Sequence, residues 1–174
     1  MMRTVSRPRV SVGIIVFVVS MAALIFVAAP IQEALQMWGL ALTELMLLAL
    51  AIIPALRRRW PLREVFPMKI PSLAQVFGVL VLWLASYVAV YVTTVSLYYL
   101  FPAGMGALST GLAEFFTSVP MPLALFIAAV MPAVCEEFLH RGLIQYTFKG
   151  KSKWVTVLSM GFIFGLFHLD MFRF

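Results

Sequence analysis

Charge is scarce in this chain. Asp, Glu, Lys and Arg make up 11% of its 174 residues, against 63% hydrophobic. An average soluble domain is roughly half apolar and about a quarter charged. The balance excludes a disordered chain and argues against a soluble globular domain. Cysteine is nearly absent too. Cys135 stands alone, so no internal disulfide can form, and its apolar neighbourhood predicts a small buried hydrophobe. No alternation of apolar and polar residues runs along the hydrophobic stretches, which excludes a transmembrane β-barrel. There is no internal repeat and no low-complexity segment.

Long apolar runs are what the chain does have. At ~20 apolar residues per crossing, its length accommodates about five spans. The sequence predicts them at Val10 to Ala29, Leu35 to Leu56, Leu73 to Tyr99, Phe115 to Phe148 and Trp154 to Phe172. Pro102, Gly104, Gly106, Ser109 and Gly111 mark a loop after the third. The fold class is all-α, a polytopic transmembrane helical bundle, with residues 1–174 forming a single membrane domain. The first segment is read as a retained anchor rather than a signal peptide, because its apolar run exceeds the usual ~7–15 residues.

The net charge of +6 is explained by topology. Arg3, Arg7 and Arg9 precede the first span. Arg57, Arg58, Arg59, Arg63 and Lys69 follow the second, and Lys149, Lys151 and Lys153 follow the fourth. The intervening turns carry Glu33 and Glu114 and no cation. Cationic loops stay in the cytoplasm, so the expectation is a multi-pass cell-membrane protein with a cytoplasmic N-terminus and no nucleic-acid partner. Trp60 and Trp154 fall where an inner aromatic belt would lie. Tyr98, Tyr99 and Phe101 fall where an outer one would lie.

Ionisable residues at membrane depth are costly and mark candidate sites. They are Glu44, Glu136, Glu137, His140, Arg141, His168 and, near the outer part of the last span, Asp170. Glu137 and Arg141 are four apart and can pair on one helix face. Glu136 and His140 share the neighbouring stripe, so Glu136 need not be neutralised by Arg141. At 1.5 Å per residue, Glu136 and His168 each lie ~20 Å from the inner boundary, on helices running in opposite directions. A break near Gly142 would bring the glutamates closer to that boundary. Gly161, Gly165 and His168 line one face of the last span, and small residues four apart allow close helix approach. Pro132 removes one helical hydrogen bond and leaves the Ala128 carbonyl in need of a partner.

Peptide hydrolysis needs a base for water, a donor for the leaving amine and a stabiliser of the oxyanion. Glu136 and His168 can share a water while Glu137 and Arg141 balance the local charge. No Gly-x-Ser-x-Gly is present, so serine chemistry is not supported. A metal set of Glu136, His168 and His140 is conceivable for a divalent ion such as zinc, although no HExxH is present. Two other classes stay open. One is a non-catalytic membrane protein, such as an immunity factor or scaffold, whose polar cluster only holds helices together. The other is a transporter or proton relay.

The pattern Glu136-Glu137-x-x-x-Arg141 followed by Phe164-x-x-x-His168 resembles the first two motifs of the CPBP intramembrane proteases. That family, also called Abi, covers CAAX-processing and bacteriocin-processing enzymes. The similarity runs from about Met131 to Asp170. It implies an endopeptidase with its site inside the membrane, acting on a peptide or membrane-protein substrate. It also implies that Glu136 activates water with the help of His168, that Glu137 and Arg141 support the site, and that no cofactor is required. Two departures are visible. His140 stands where the family usually has an apolar or aromatic residue. The family's later His and Asn, thought to form the oxyanion site, have no counterpart before Phe174. The expectation from this is the N-terminal part of a longer protease; the other reading is an inactive, truncated member.

Overall fold

A computed structural model describes residues 9–168. Among the described residues every regular element is helical. We number them α1 (Val10–Leu35), α2 (Met37–Arg57), α3 (Leu62–Val65), α4 (Leu73–Leu100), α5 (Pro102–Thr117), α6 (Met121–Thr147) and α7 (Lys153–Phe167). Helices α1, α2, α4 and α6 are long and apolar enough to cross a membrane, and α7 is a shorter apolar helix. The protein is a multi-pass membrane protein built as an all-α bundle. The four residues of the expected fifth span beyond His168, Asp170 among them, lie outside the described residues, as do Arg3 and Arg7.

The stretch beginning at Pro102 is a helix, not the loop that its prolines and glycines suggest. Pro102 occupies the first helical position, where a missing N–H costs nothing. Phe101 breaks from α4 with φ −134° and ψ 60°. The same residues that read as a turn therefore serve to start a helix.

The chain packs as two compact units, Met68–Phe115 and Met1–Pro67 with Phe116–Phe174. In the first of these, α4 opens with a reciprocal cap between Ser72 and Gln75. The second unit contains the motif residues.

Within that second unit, α1 and α2 form a hairpin. The chain reverses at Gln36, which adopts φ 48°. The Gln32 side-chain amide donates to Thr43 Oγ1 at 2.8 Å across the hairpin. Leu47, Ala51 and Ala55 recur at helical spacing on α2 and join Leu139, Leu143 and Ile144 of α6 in the core. The small alanines let the helices approach closely, as packing in lipid requires. Val10, Val12, Val16, Phe17, Met21 and Leu24 of α1 lie against the same core.

One end of this unit collects the cations. Gly13 near the start of α1 lies against Thr147 at the end of α6, so closely that a Cβ would collide with the Thr147 hydroxyl. Trp60 packs on Tyr146 with ring centroids 5.7 Å apart, and Lys149 Nζ meets Glu64 Oε2 at 2.8 Å. The cations flanking α1, α2 and α6 thus share the end that the sequence groups them on. Trp60 departs from the expected belt position. It is 6% exposed and belongs to the core, because the turn after Arg59 (φ 54°) folds it inward onto α6.

Proline shapes α1 and α6. Each widens into a π-turn, at Leu24–Ala28 and Phe126–Val130, just ahead of Pro30 and Pro132. There the Ala29 and Met131 N–H groups reach back five residues, to the Leu24 and Phe126 carbonyls. A proline cannot donate to the carbonyl four residues back, and its ring crowds that carbonyl. The wider turn relieves the crowding without ending the helix. A third π-segment, Phe138–Ile144, contains no proline but carries His140, Arg141 and Gly142.

Candidate active site in the membrane bundle

Helix α6 delivers most of the site. Its α-helical turn Met131–Glu137 ends on the two glutamates, and the π-segment begins at the next residue. A π-turn fits more residues into each turn than an α-helix does. The helix stays continuous through Gly142, but the glutamates stand closer to the cationic end than a uniform rise would put them. Gly142 is where this matters most. A Cβ there would lie 2.5 Å from the Phe66 ring. Phe66 in turn stacks on Phe138, with centroids 4.9 Å apart. The segment after α3 therefore reaches α6 within two residues of Glu136.

Glu137 and Arg141 pair as their spacing predicts, with Oε1 and Nε 3.0 Å apart. Both side chains are more than half exposed, at 51% and 73%. Glu136 is on the adjacent stripe and half-buried. It lies within electrostatic reach of His168, Glu137 and Glu44. His168 ends α7, half-buried, with Nδ1 3.1 Å from the Phe164 carbonyl oxygen. The two motif residues expected to share a water thus stand on separate helices, Glu136 on α6 and His168 at the end of α7.

His140 is buried, 2% exposed, and sits among aromatic rings. Phe164 and Phe167 meet it edge-on at 5.2 and 4.4 Å. Its Nδ1 is 3.1 Å from the Glu136 carbonyl oxygen, and its Nε2 has no hydrogen-bond partner. A cavity of about 300 Å³ between α6 and α7 is lined by His140, Arg141, Gln145, Met160, Gly161 and Phe164, among others. Gly161 corrects an expectation. Nothing lies within 4 Å of where its Cβ would be. The glycine pattern on α7 does not bring two helices into tight contact at that position; it leaves room beside His140. The contact between α6 and α7 runs instead through the His140, Phe164 and Phe167 rings.

Two residues complete the neighbourhood. Cys135 is buried, as its apolar surroundings predict. Glu44 of α2 is 2% exposed, and its Oε2 lacks a partner. Sequence reading singles out Glu44 as an acid at membrane depth but gives no register between α2 and α6; its burial emerges only from the fold. As a metal centre, the arrangement does not fit. Among the described residues no three His, Cys, Asp or Glu side chains converge as an ion would need, and His140 turns to the Phe rings.

Residues 117–174 match the family described as Type II CAAX prenyl endopeptidase Rce1-like. No curated protein and no solved structure matches the chain. The matched stretch contains both motifs, Glu136-Glu137-x-x-x-Arg141 and Phe164-x-x-x-His168. That stretch is about a third of the chain, and over it the chain is similar to the CAAX-type (CPBP, Abi) intramembrane proteases.

Proposed function

We propose that this bundle is an intramembrane endopeptidase that hydrolyses a peptide bond with a water activated by Glu136 and His168. The observation that supports the reading is the family match, which contains both motifs, with Glu136 and His168 on two different helices of the bundle. Glu136 takes a proton from water as the water oxygen adds to the substrate carbonyl carbon. The carbon–nitrogen bond then breaks, and the same carboxyl group returns the proton to the leaving amine. His168 orients the water and supports the charge on Glu136. The Glu137–Arg141 pair keeps a second carboxylate neutralised beside the base. The cationic end is the cytoplasmic one, so a peptide or membrane-protein substrate reaches the glutamates from that side, without nucleic acid and without a required cofactor.

The test is cleavage by the full chain in liposomes of a farnesylated CAAX-type peptide and of a single-span membrane reporter. Glu136→Gln and His168→Ala should each lower the rate by about 10²–10⁴ while eluting as folded protein. Cleavage by both variants at the wild-type rate would overturn the reading. So would a wild type that cuts neither substrate yet retains a biological function that Glu136→Gln also retains, which is the outcome expected of a binding protein.

A further inference from the structure

The turn between α6 and α7 builds a second cavity. Gly150 adopts φ 93°, a left-handed conformation that costs glycine nothing, and the chain reverses there. Lys149 and Lys151, on either side of it, both line a cavity of about 330 Å³, with Glu64, Arg141, Gln145 and Tyr146 among its other walls. Three cations thus share the cavity with one acid. Lys149 meets Glu64 at 2.8 Å, and Arg141 pairs with Glu137. Lys151 is exposed and forms no ion pair among the described residues. The cavity therefore carries an uncompensated positive charge.

This cavity adjoins the one beside His140, since the two share Arg141, Gln145 and Thr156. Past Thr156 the wall continues along α7 through Val157, Met160, Gly161 and Phe164. These positions recur at helical spacing, so they form one apolar face. From Thr156 to Phe164 that face runs roughly 12 Å along the helix. Gly161 opens it, with nothing within 4 Å of where its Cβ would lie. The combined groove is cationic at the end of the bundle and apolar further in. Neither cavity has Glu136 or His168 in its walls, so an occupant leaves the catalytic pair of the protease reading clear.

That gradient fits an amphiphile with an anionic head. On the orientation read from the loops, the cationic end meets the cytoplasmic leaflet, which carries anionic lipids. A free phosphate would use the cations and leave the apolar face empty. A zwitterionic lipid would bring a positive group to Lys151. We propose that the groove binds one anionic glycerophospholipid, with its phosphate on Lys151 beside Gln145 and one acyl chain along Val157, Gly161 and Phe164. The site is independent of what the protein cleaves.

Native mass spectrometry of the full chain tests this. The protein is released from micelles holding equal amounts of phosphatidylglycerol and phosphatidylcholine with identical acyl chains. Wild type should retain one phosphatidylglycerol per chain in preference to phosphatidylcholine. Lys151→Ala should lower that preference about fivefold, the effect of one cation near a charged headgroup. Lys153→Ala removes the same charge from a position outside both cavities and should leave the preference unchanged. Equal losses from the two variants would mean diffuse attraction to the cationic end and would overturn the site. So would equal retention of the two lipids by wild type. Gly161→Leu, eluting as folded protein, should lower phosphatidylglycerol retention by filling the apolar face. Unchanged retention there would overturn the acyl-chain contact and with it the lipid. A large excess of soluble glycerol phosphate should fail to displace the lipid from wild type. Displacement would show a plain anion site and overturn the proposal without recourse to any variant.

Discussion

At position 140 the chain carries an imidazole where the family resemblance implies an apolar or aromatic side chain. The ring touches Phe164 and Phe167 edge-on, an arrangement that a phenyl group would reproduce. What phenylalanine could not reproduce is the contact of Nδ1 with the Glu136 carbonyl oxygen. Against that stands the buried Nε2, which has no partner. An unsatisfied buried group costs ~1–3 kcal/mol, and a made hydrogen bond contributes about 1. His140→Phe should therefore leave stability unchanged or raise it by about 1 kcal/mol, read as Tm in detergent. A clear drop in Tm would mean that the imidazole is needed where it stands. The Glu137–Arg141 pair was legible from spacing alone, because four residues is one helical turn. The surroundings of His140 were not. Spacing gives the face a residue occupies but not what covers that face.

Helices, once chosen, depend on where they touch. Gly142 of α6 lies against the Phe66 ring and the Val65 carbonyl, whereas Gly161 of α7 faces open space. Gly142→Val should push Phe66 and α6 apart and cost about 1–3 kcal/mol, the usual penalty of overpacking. Gly161→Ala should be neutral for folding. Thermal unfolding of both variants in one detergent checks the contrast, and equal stability would show that Phe66 yields freely. The spans themselves were read from apolar run length to within a few residues at most ends, since a bilayer sets that length. The loop expected at Pro102 failed, and the close approach that the glycine face allows is not used at Gly161. Pro102 and its glycines mark a turn or a helix start equally well, and a Gly-x-x-x-Gly face permits close packing without requiring it. Only a partner surface decides, and a partner surface is a tertiary fact.

Across the membrane, the distribution of charge and the packing of the core give the same answer by independent routes. The sequence groups the cations by alternation between loops. The structure groups them by contact, through Gly13 with Thr147, Trp60 with Tyr146 and Glu64 with Lys149. The Glu64–Lys149 pair is exposed and contributes at most about 1 kcal/mol, so the aromatic and glycine contacts hold that end together. Glu33 lies at the opposite end, beside the reversal at Gln36. This arrangement is tested by single cysteines in a Cys135→Ala background at Arg58, Lys151 and Glu33, all exposed positions. In sealed inside-out vesicles a membrane-impermeant maleimide should label positions 58 and 151 directly, and position 33 only after the vesicles are opened. Labelling of 58 and 151 from opposite faces would contradict the packing of α2 against α6. Labelling of both from the outer face would preserve that packing and reverse the orientation. The glutamates would then face a substrate arriving from outside the cell.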